Sequence, residues 1–406
     1  MNLSPSSQQP EIFFAEFFCG IGLVRLGLER VKEVRFQCVF ANDIDPEKGE
    51  IYRNNFRAEH LLIADVAQVQ GEDVPPGVDF VTASFPCIDL SLAGKRRGLA
   101  GQHSSAFYRF LNVLDQLAEK GRLPKVIMLE NVVGLLTSHC GADIRAVLSS
   151  LNERGYACDL LLIDAVHFLP QSRPRVYLTA FQNALLARCD GLGTDKLLDV
   201  ASQSHPCRTR AVLKVILDNP DLFWHFMQLP SLKNCRTKSL ADIVETDADH
   251  RWFNQQELER ELAYVRNGSC ERLHKAQRNA RQSGNIVYLT AYRRMRSGLV
   301  CLETRDDGIA GCLRTPVGGS SRQVLIAVQP DGTIHMRYMS VREYARLQGA
   351  DGFLLPASQH IGLKAFGDAV AVPVVEWLGR AIAKYLAVNA QSGILLDVVT
   401  EVVINY

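Results

Sequence analysis

The sequence is notable first for what it lacks. Its 11 cysteines include no CxxC pair. Paired ligands are the usual mark of a structural zinc site, so none is expected. An odd number of scattered thiols fits a reducing compartment rather than a disulfide framework, so the cytoplasm is the expected location. No apolar run approaches the roughly 20 residues needed to span a bilayer. The opening stretch MNLSPSSQQPE has neither a basic region nor an apolar core, and so predicts no signal peptide. Charge of either sign is not in excess. With 45 Lys/Arg against 44 Asp/Glu the net charge is +1, so any site for a polyanion must be local. There is no internal repeat and no low-complexity segment.

What is present fits a large globular protein. The 406 residues are 47% hydrophobic and 22% charged, enough for two or three domains. Short apolar runs alternate with helical patterns over the first 180 residues. Strands are predicted at 11–18, 36–41, 61–63, 78–83, 125–129, 156–165 and 175–181. Helices are predicted at 23–30, 46–55, 104–120 and 144–153. Such alternation implies a doubly wound, mostly parallel α/β sheet.

The chemically distinctive residues all follow strands. Phe18-Cys19-Gly20-Ile21-Gly22 follows the first. Glycines there let a ligand approach the backbone at a helix start. A dinucleotide fingerprint would want a third glycine where Arg25 stands, which disfavours a nicotinamide-dependent oxidoreductase but not a nucleoside cofactor. Asp43 follows the second strand, where an acid can take ribose hydroxyls. Asp65 follows the third, where a carboxylate can accept from an adenine amino group. Either acid could equally be a helix N-cap. Phe85-Pro86-Cys87 follows the fourth strand. The thiol of Cys87, beside a proline that fixes the backbone, is a candidate nucleophile, although a buried packing cysteine is the commoner case. Glu130-Asn131-Val132 ends the fifth strand.

Beyond Gln182 the pattern changes. Residues 182–300 hold 18 Lys/Arg against 13 Asp/Glu, and strands look weak. Arg272, Lys275, Arg278, Arg281, Arg293, Arg294 and Arg296 form a run without an acid, either a solvated face or a phosphate-contacting surface. Strands are expected again within 307–328, a short helix at 341–348, and a glycine loop (KAFGDAV) leading into a long helix. The apolar tail from Asn389 is expected to dock as a strand.

Together these stretches resemble the cytosine-5 DNA methyltransferases, in the family's order. FFAEFFCGIG is similar to the first cofactor motif and NDID to the ribose-binding motif. DFVTASFPCIDLS matches the Pro-Cys motif and PKVIMLENV the Glu-Asn-Val motif. QSRPRVYLTAF matches Gln-x-Arg-x-Arg, and MSVREYARLQGADGF and FGDAVAVPVV match the ninth and tenth motifs.

The resemblance implies a Rossmann-like catalytic domain at 11–182, completed by 355–390. It also implies a smaller, mainly irregular or β target-recognition domain at 183–354. S-adenosylmethionine would be bound by Phe18, Cys19, Gly20, Ile21, Gly22, Leu23, Asp43, Ile44, Asp65, Val66, Pro86, Asp368 and Ala369. Cys87 would be the nucleophile, with Glu130, Arg173 and Arg175 completing the catalytic set. Ser91, Lys95, Arg96 and Arg97 on a mobile loop, with Gln171, Arg293, Arg294 and Arg296, would face DNA. The implied partner is double-stranded DNA, with a cognate nuclease or other defence proteins, and the chain is expected to be a monomer. Three positions depart from the family: Ile88 for Gln, Cys312 for Thr and Asp368 for Asn. An RNA cytosine methyltransferase on the same fold, or a DNA-binding module without activity, are the other readings. The insert of about 130 residues favours duplex DNA over RNA, and the presence of Cys87, Glu130, Arg173 and Arg175 argues against an inactive module.

Overall fold

The computed structural model describes residues 9–86, 106–183, 186, 205–246, 251–315 and 322–391. Cys87, Ile88, the loop residues Ser91, Lys95, Arg96 and Arg97, and the tail beyond Gln391 lie outside them.

A seven-stranded sheet carries the larger part of the chain. Its strands are β1 (Glu11–Phe17), β2 (Arg35–Asp43), β3 (Leu61–Ile63), β4 (Phe80–Ala83), β5 (Val126–Val132), β6 (Tyr156–Asp164) and β7 (Pro174–Gln182), in the order β3-β2-β1-β4-β5-β7-β6. β1 pairs in parallel with both β2 and β4, so the winding reverses beside it. Ligand crevices open at such a reversal, outside the carboxyl ends of the strands. Only β7 runs antiparallel to its neighbours.

The register aligns the strand ends. Leu62, Asn42, Phe17, Ala83 and Leu129 form one row across five strands. The next residue along each strand is Ile63, Asp43, Phe18, Ser84 or Glu130. Five separate sequence stretches therefore reach one edge together. β5 continues through Glu130 and Asn131 to Val132, three residues past the expected end, because β7 pairs alongside it as far as Val132 opposite Arg175.

Strand alternation supplies both faces of the sheet with core residues. Ile12, Phe14, Phe36 and Cys38 join one core and Ala15 and Phe17 the other, while a bulge in β2 between Cys38 and Phe40 turns Phe40 to that second face. Helices α1 (Leu23–Leu28) and α2 (Pro46–Phe56) cover the first face. Helices α3 (Ala106–Glu119), α4 (Ala142–Glu153) and α5 (Arg210–Asp218) cover the second.

A four-stranded antiparallel sheet forms the smaller unit: β8 (Val287–Arg296), β9 (Leu299–Arg305), β10 (Val324–Val328) and β11 (Ile334–Tyr338), in the order β11-β10-β8-β9. Helices α6 (Gln255–Ala263) and α7 (Gly268–Ser283) pack on it, around Leu273, Ala276, Leu289, Leu302, Ile326 and Met336. β8 lies where strands looked weak. Only Leu289, Thr290 and Ala291 at its centre are buried, and arginines fill its far end, so composition hides it.

Three more helices return to the large unit: α8 (Val341–Leu347), α9 (Gln359–Asp368) and α10 (Val372–Gln391). α8 buries Val341, Tyr344, Ala345 and Leu347 in the first core. Cys207, Met227, Leu240 and Ile243 pack there too. The smaller unit's own core draws its buried residues from 273–336, within the expected span of 183–354, while Leu325 and Tyr288 of the small sheet pack on the first core. The stretch Lys364–Asp368, expected in a loop, is helical in α9, with its amino end capped by the Ser358 side chain.

Candidate active site

The glycine turn after β1 is built by crowding below and openness above. Gly22 sits at φ +84°, and a Cβ there would lie 2.5 Å from Phe56 and 2.8 Å from Tyr52. Gly20 (φ +56°) faces open space, with nothing within 4 Å of a Cβ position. Arg25, where a dinucleotide fold would carry glycine, lies over the Phe56 ring at 4.5 Å and pairs with Glu29 at 2.6 Å.

Asp43 closes this turn. Its Oδ2 accepts from the Gly20 N–H (2.7 Å), and its Oδ1 from the Asp45 N–H (2.9 Å). The buried carboxylate keeps further lone pairs free for hydroxyl donors. Ile44, beside it, is 64% exposed, an apolar surface next to the acid. Cys19, Ile21, Leu23 and Val66 are buried. Phe18 is partly buried and Pro86 exposed. Asp65 is exposed and caps a helical turn by accepting from the Ala67 N–H, the alternative the sequence left open.

Asp368 ends α9 beside this crevice. It accepts from Thr315 and pairs with Lys48 of α2 at 3.2 Å. Lys364 of α9 pairs with Asp45 at 3.0 Å, which holds the Asp45 carboxyl below its usual range. With Lys364–Glu47 at 3.6 Å, three ion pairs thus join α2 and its cap to α9, with the half-buried Ala369 following.

Glu130 stands on the same edge, next to Ser84, whose side chain hydrogen-bonds it. Its Oε1 lies 3.3 Å from Arg175 Nε. Burial pushes the Glu130 carboxyl above its ordinary pKa, more than Arg175 and Arg173 pull it down. Asn131 donates to the Phe85 carbonyl at 3.0 Å, tying the residues just before Cys87 to β5. Sequence reasoning assigned Asn131 no role.

Arg173 is placed differently from Arg175. Its guanidinium is buried and donates to the carbonyls of Leu313 (3.0 Å), Gly367 (3.3 Å) and Asp368 (3.4 Å). Those bonds hold the end of α9 against β7. Gln171, expected at DNA, is fully buried and cannot reach it. It donates to the Leu347 carbonyl (2.6 Å) and accepts from the Leu313 N–H (3.3 Å), so it joins segments instead. Arg293, also expected at DNA, is held by the fully buried Glu261 in a two-pronged pair. Arg294 (3.7 Å) and Arg296 (2.6 Å) share Glu303. The run that is free of acids in sequence is met by acids from other elements in space.

A cleft of the small unit opens beside this centre. It is lined by Arg305, Arg314, Arg322 and Tyr338, and reaches Cys312 and Pro174. Cys312 Sγ lies 3.6 Å from Arg173 and 3.8 Å from Arg175.

This arrangement of fold and site is that of one enzyme class. Residues 12–384 match the model of the C-5 cytosine-specific DNA methylase family, and the chain belongs to that family. It is a DNA cytosine methyltransferase. The type II methyltransferase M.BanI of Aneurinibacillus aneurinilyticus is 34% identical over 90% of this chain and 94% of its own. M.HgiCI of Herpetosiphon aurantiacus is 25% identical over 89% and 96%. Among solved structures, S. pombe Dnmt2 methyltransferase shares the fold, with a TM-score of 0.56 and 19% identity, over 92% of this chain and 99% of its own.

Proposed function

We propose that this enzyme methylates carbon 5 of a cytosine flipped out of duplex DNA, as the modification half of a restriction-modification or related defence system. A cognate nuclease would be its partner, and the cytoplasm its place of work. The observation that carries the reading is the edge shared by the Gly20–Gly22 turn, Asp43 and the Glu130–Arg175 pair. The Phe85-Pro86 lead-in to Cys87 reaches the same edge.

S-adenosylmethionine fits the first half of that edge. Gly20 leaves room for it, Asp43 offers its remaining lone pairs to ribose hydroxyls, and Ile44 offers an apolar face. Phe18, Asp65, Asp368 and Ala369 would border it. Bound there, it supplies an electrophilic methyl on a sulfonium. Asp43→Ala should weaken its binding by about 1–3 kcal/mol, because the hydroxyls lose a charged acceptor. Unchanged affinity by titration calorimetry would remove Asp43 from the site.

The chain's own residues do the rest. Cys87 adds as a thiolate to carbon 6, which makes carbon 5 nucleophilic. Glu130, its pKa raised by burial, donates to ring nitrogen 3 as negative charge develops there. Arg175 orients Glu130, and Arg173 acts as a positioning residue through the carbonyls it binds. Once carbon 5 carries the methyl, its proton passes to solvent water, the carbon 5–carbon 6 double bond re-forms and Cys87 leaves carbon 6 as the thiolate. Base flipping costs a few kcal/mol, which phosphate contacts from the small unit and from Lys95, Arg96 and Arg97 would offset. We take 251–338 as the target-recognition unit. Its separate core favours a duplex substrate over a folded RNA.

The experiment is a denaturing gel with duplex DNA carrying 5-fluorocytosine, which has no carbon 5 proton to lose. The enzyme should be trapped on it, and Cys87→Ala should abolish trapping and methyl transfer while still binding DNA. An untrapped parent that nonetheless methylates DNA would refute the covalent mechanism.

A further inference from the structure

The tip of the β8–β9 hairpin has an unusual surface. Ser297 (φ +47°) and Gly298 (φ +79°) make a two-residue turn with both residues left-handed, the tight form that matches strand twist. Around it, Met295 is 60% exposed, Leu299 66% and Val300 37%. Met295 and Val300 are register partners, and so lie on one face. That face lines the cleft leading to Cys312 and Pro174 beside the catalytic pair. Leu299 lies opposite Arg296 on the other face.

The cleft fixes the chemistry of what meets this tip. Arg293, Arg294, Arg305, Arg314 and Arg322 line it, and among the described residues no acid does. Glu261, Glu303 and Asp307 neutralise three of them from behind. Among the described residues, Arg314 and Arg322 form no ion pair, and Arg322 rests 4.1 Å over the Tyr338 ring. A second copy of the chain would bring the same arginines against these. A polyanion with an apolar component is the complementary partner, and a two-stranded β-ribbon fits the major groove, where thymine methyls are exposed.

We propose that this hairpin enters the major groove of the target duplex. Met295 and Val300 contact base edges, while Arg314 and Arg322 bind phosphates. This rests on the duplex-DNA reading above. Met295 and Val300 are thereby specificity determinants, and the two arginines are sources of affinity.

The test starts from the duplex site identified by bisulfite sequencing of DNA from a host expressing the enzyme. Binding is measured by fluorescence anisotropy against salt, for that duplex and for one of scrambled sequence. The Met295→Ser/Val300→Thr protein should bind the target at least tenfold more weakly. Its affinity for the scrambled duplex and its salt slope should be unchanged, as should its cofactor binding and melting temperature. Arg314→Gln and Arg322→Gln should each weaken both duplexes alike and flatten the slope by about one. An apolar-tip variant that still discriminates and methylates like the parent overturns the hairpin assignment alone. A concentration-dependent dimer in sedimentation that the tip variant abolishes, with DNA binding intact, also overturns it in favour of self-association. A parent that binds and methylates no duplex overturns the duplex reading, and this assignment with it.

Discussion

The edge shared by Glu130 and Asp43 shows how environment divides tasks between similar groups. Asp43 is held by two backbone N–H donors and suits a fixed acceptor. Burial raises the pKa of Glu130 against the pull of Arg175 and Arg173, which favours a donor. Because burial raises its pKa, Glu130 keeps its proton above the ordinary carboxylate range and loses it as pH rises further. The rate constant should therefore fall on the alkaline side through that loss. Glu130→Gln should slow addition about 10²–10⁴-fold and erase this limb in a pH–rate profile. Glu16, one strand residue before the glycine turn, was not singled out in sequence. It is buried, and neither of its carboxylate oxygens has a hydrogen-bond partner among the described residues. Burial raises it to about 8, with Arg25 opposing and Glu29 adding to the shift. Between its unfolded value and about 8 the folded state holds a proton that the unfolded state has lost. Stability should thus be full below the unfolded value and decline with rising pH, by about 1.4 kcal/mol per unit for one such group. Urea denaturation at pH 5 and pH 8 should show that slope in the parent and a flatter one in Glu16→Gln.

Elements were legible where their signal was local. The β1 turn, the acid after β2 and the Pro-Cys stretch after β4 each announced themselves within a dozen residues. Partners distant in sequence were not legible. Gln171 meets the main chain of Leu347, and Arg293 meets Glu261, through folding alone. β8 was hidden because its exposed end is arginine, and the helical nature of Lys364–Asp368 because its glycine suggested a loop. The α1 turn offers a sharp check on the legible part. Gly22→Ala would place a methyl within 3 Å of two rings at a left-handed φ. It should cost about 2–4 kcal/mol, combining strain and overpacking, read as a fall in melting temperature. It should weaken cofactor binding more than DNA binding.

Across the whole molecule, near-neutral net charge conceals an uneven distribution. The basic run divides in space into arginines committed to internal acids and others facing water. Arg293→Gln should therefore leave the salt slope of DNA binding unchanged while lowering stability, because the fully buried Glu261 is left with only the longer 3.7 Å contact to Arg260. Arg278 and Arg281, exposed on α7, test the solvated-face reading of that run. If their replacement by Gln leaves the slope unchanged as well, the phosphate contacts lie in the cleft and not on the helix.

α10 is drawn from the far end of the described chain, yet it packs directly on α1. A Cβ on Gly27 would lie 2.6 Å from Val375. During synthesis the glycine turn leaves the ribosome about 350 residues ahead of α10, so the helix behind it lacks a wall until residues beyond 372 emerge. A nascent chain thus contains Cys87, Glu130 and most of the sheet well before the glycine turn is backed by α10. Activity should appear late and abruptly in translation, so incomplete products would leave host DNA unmarked.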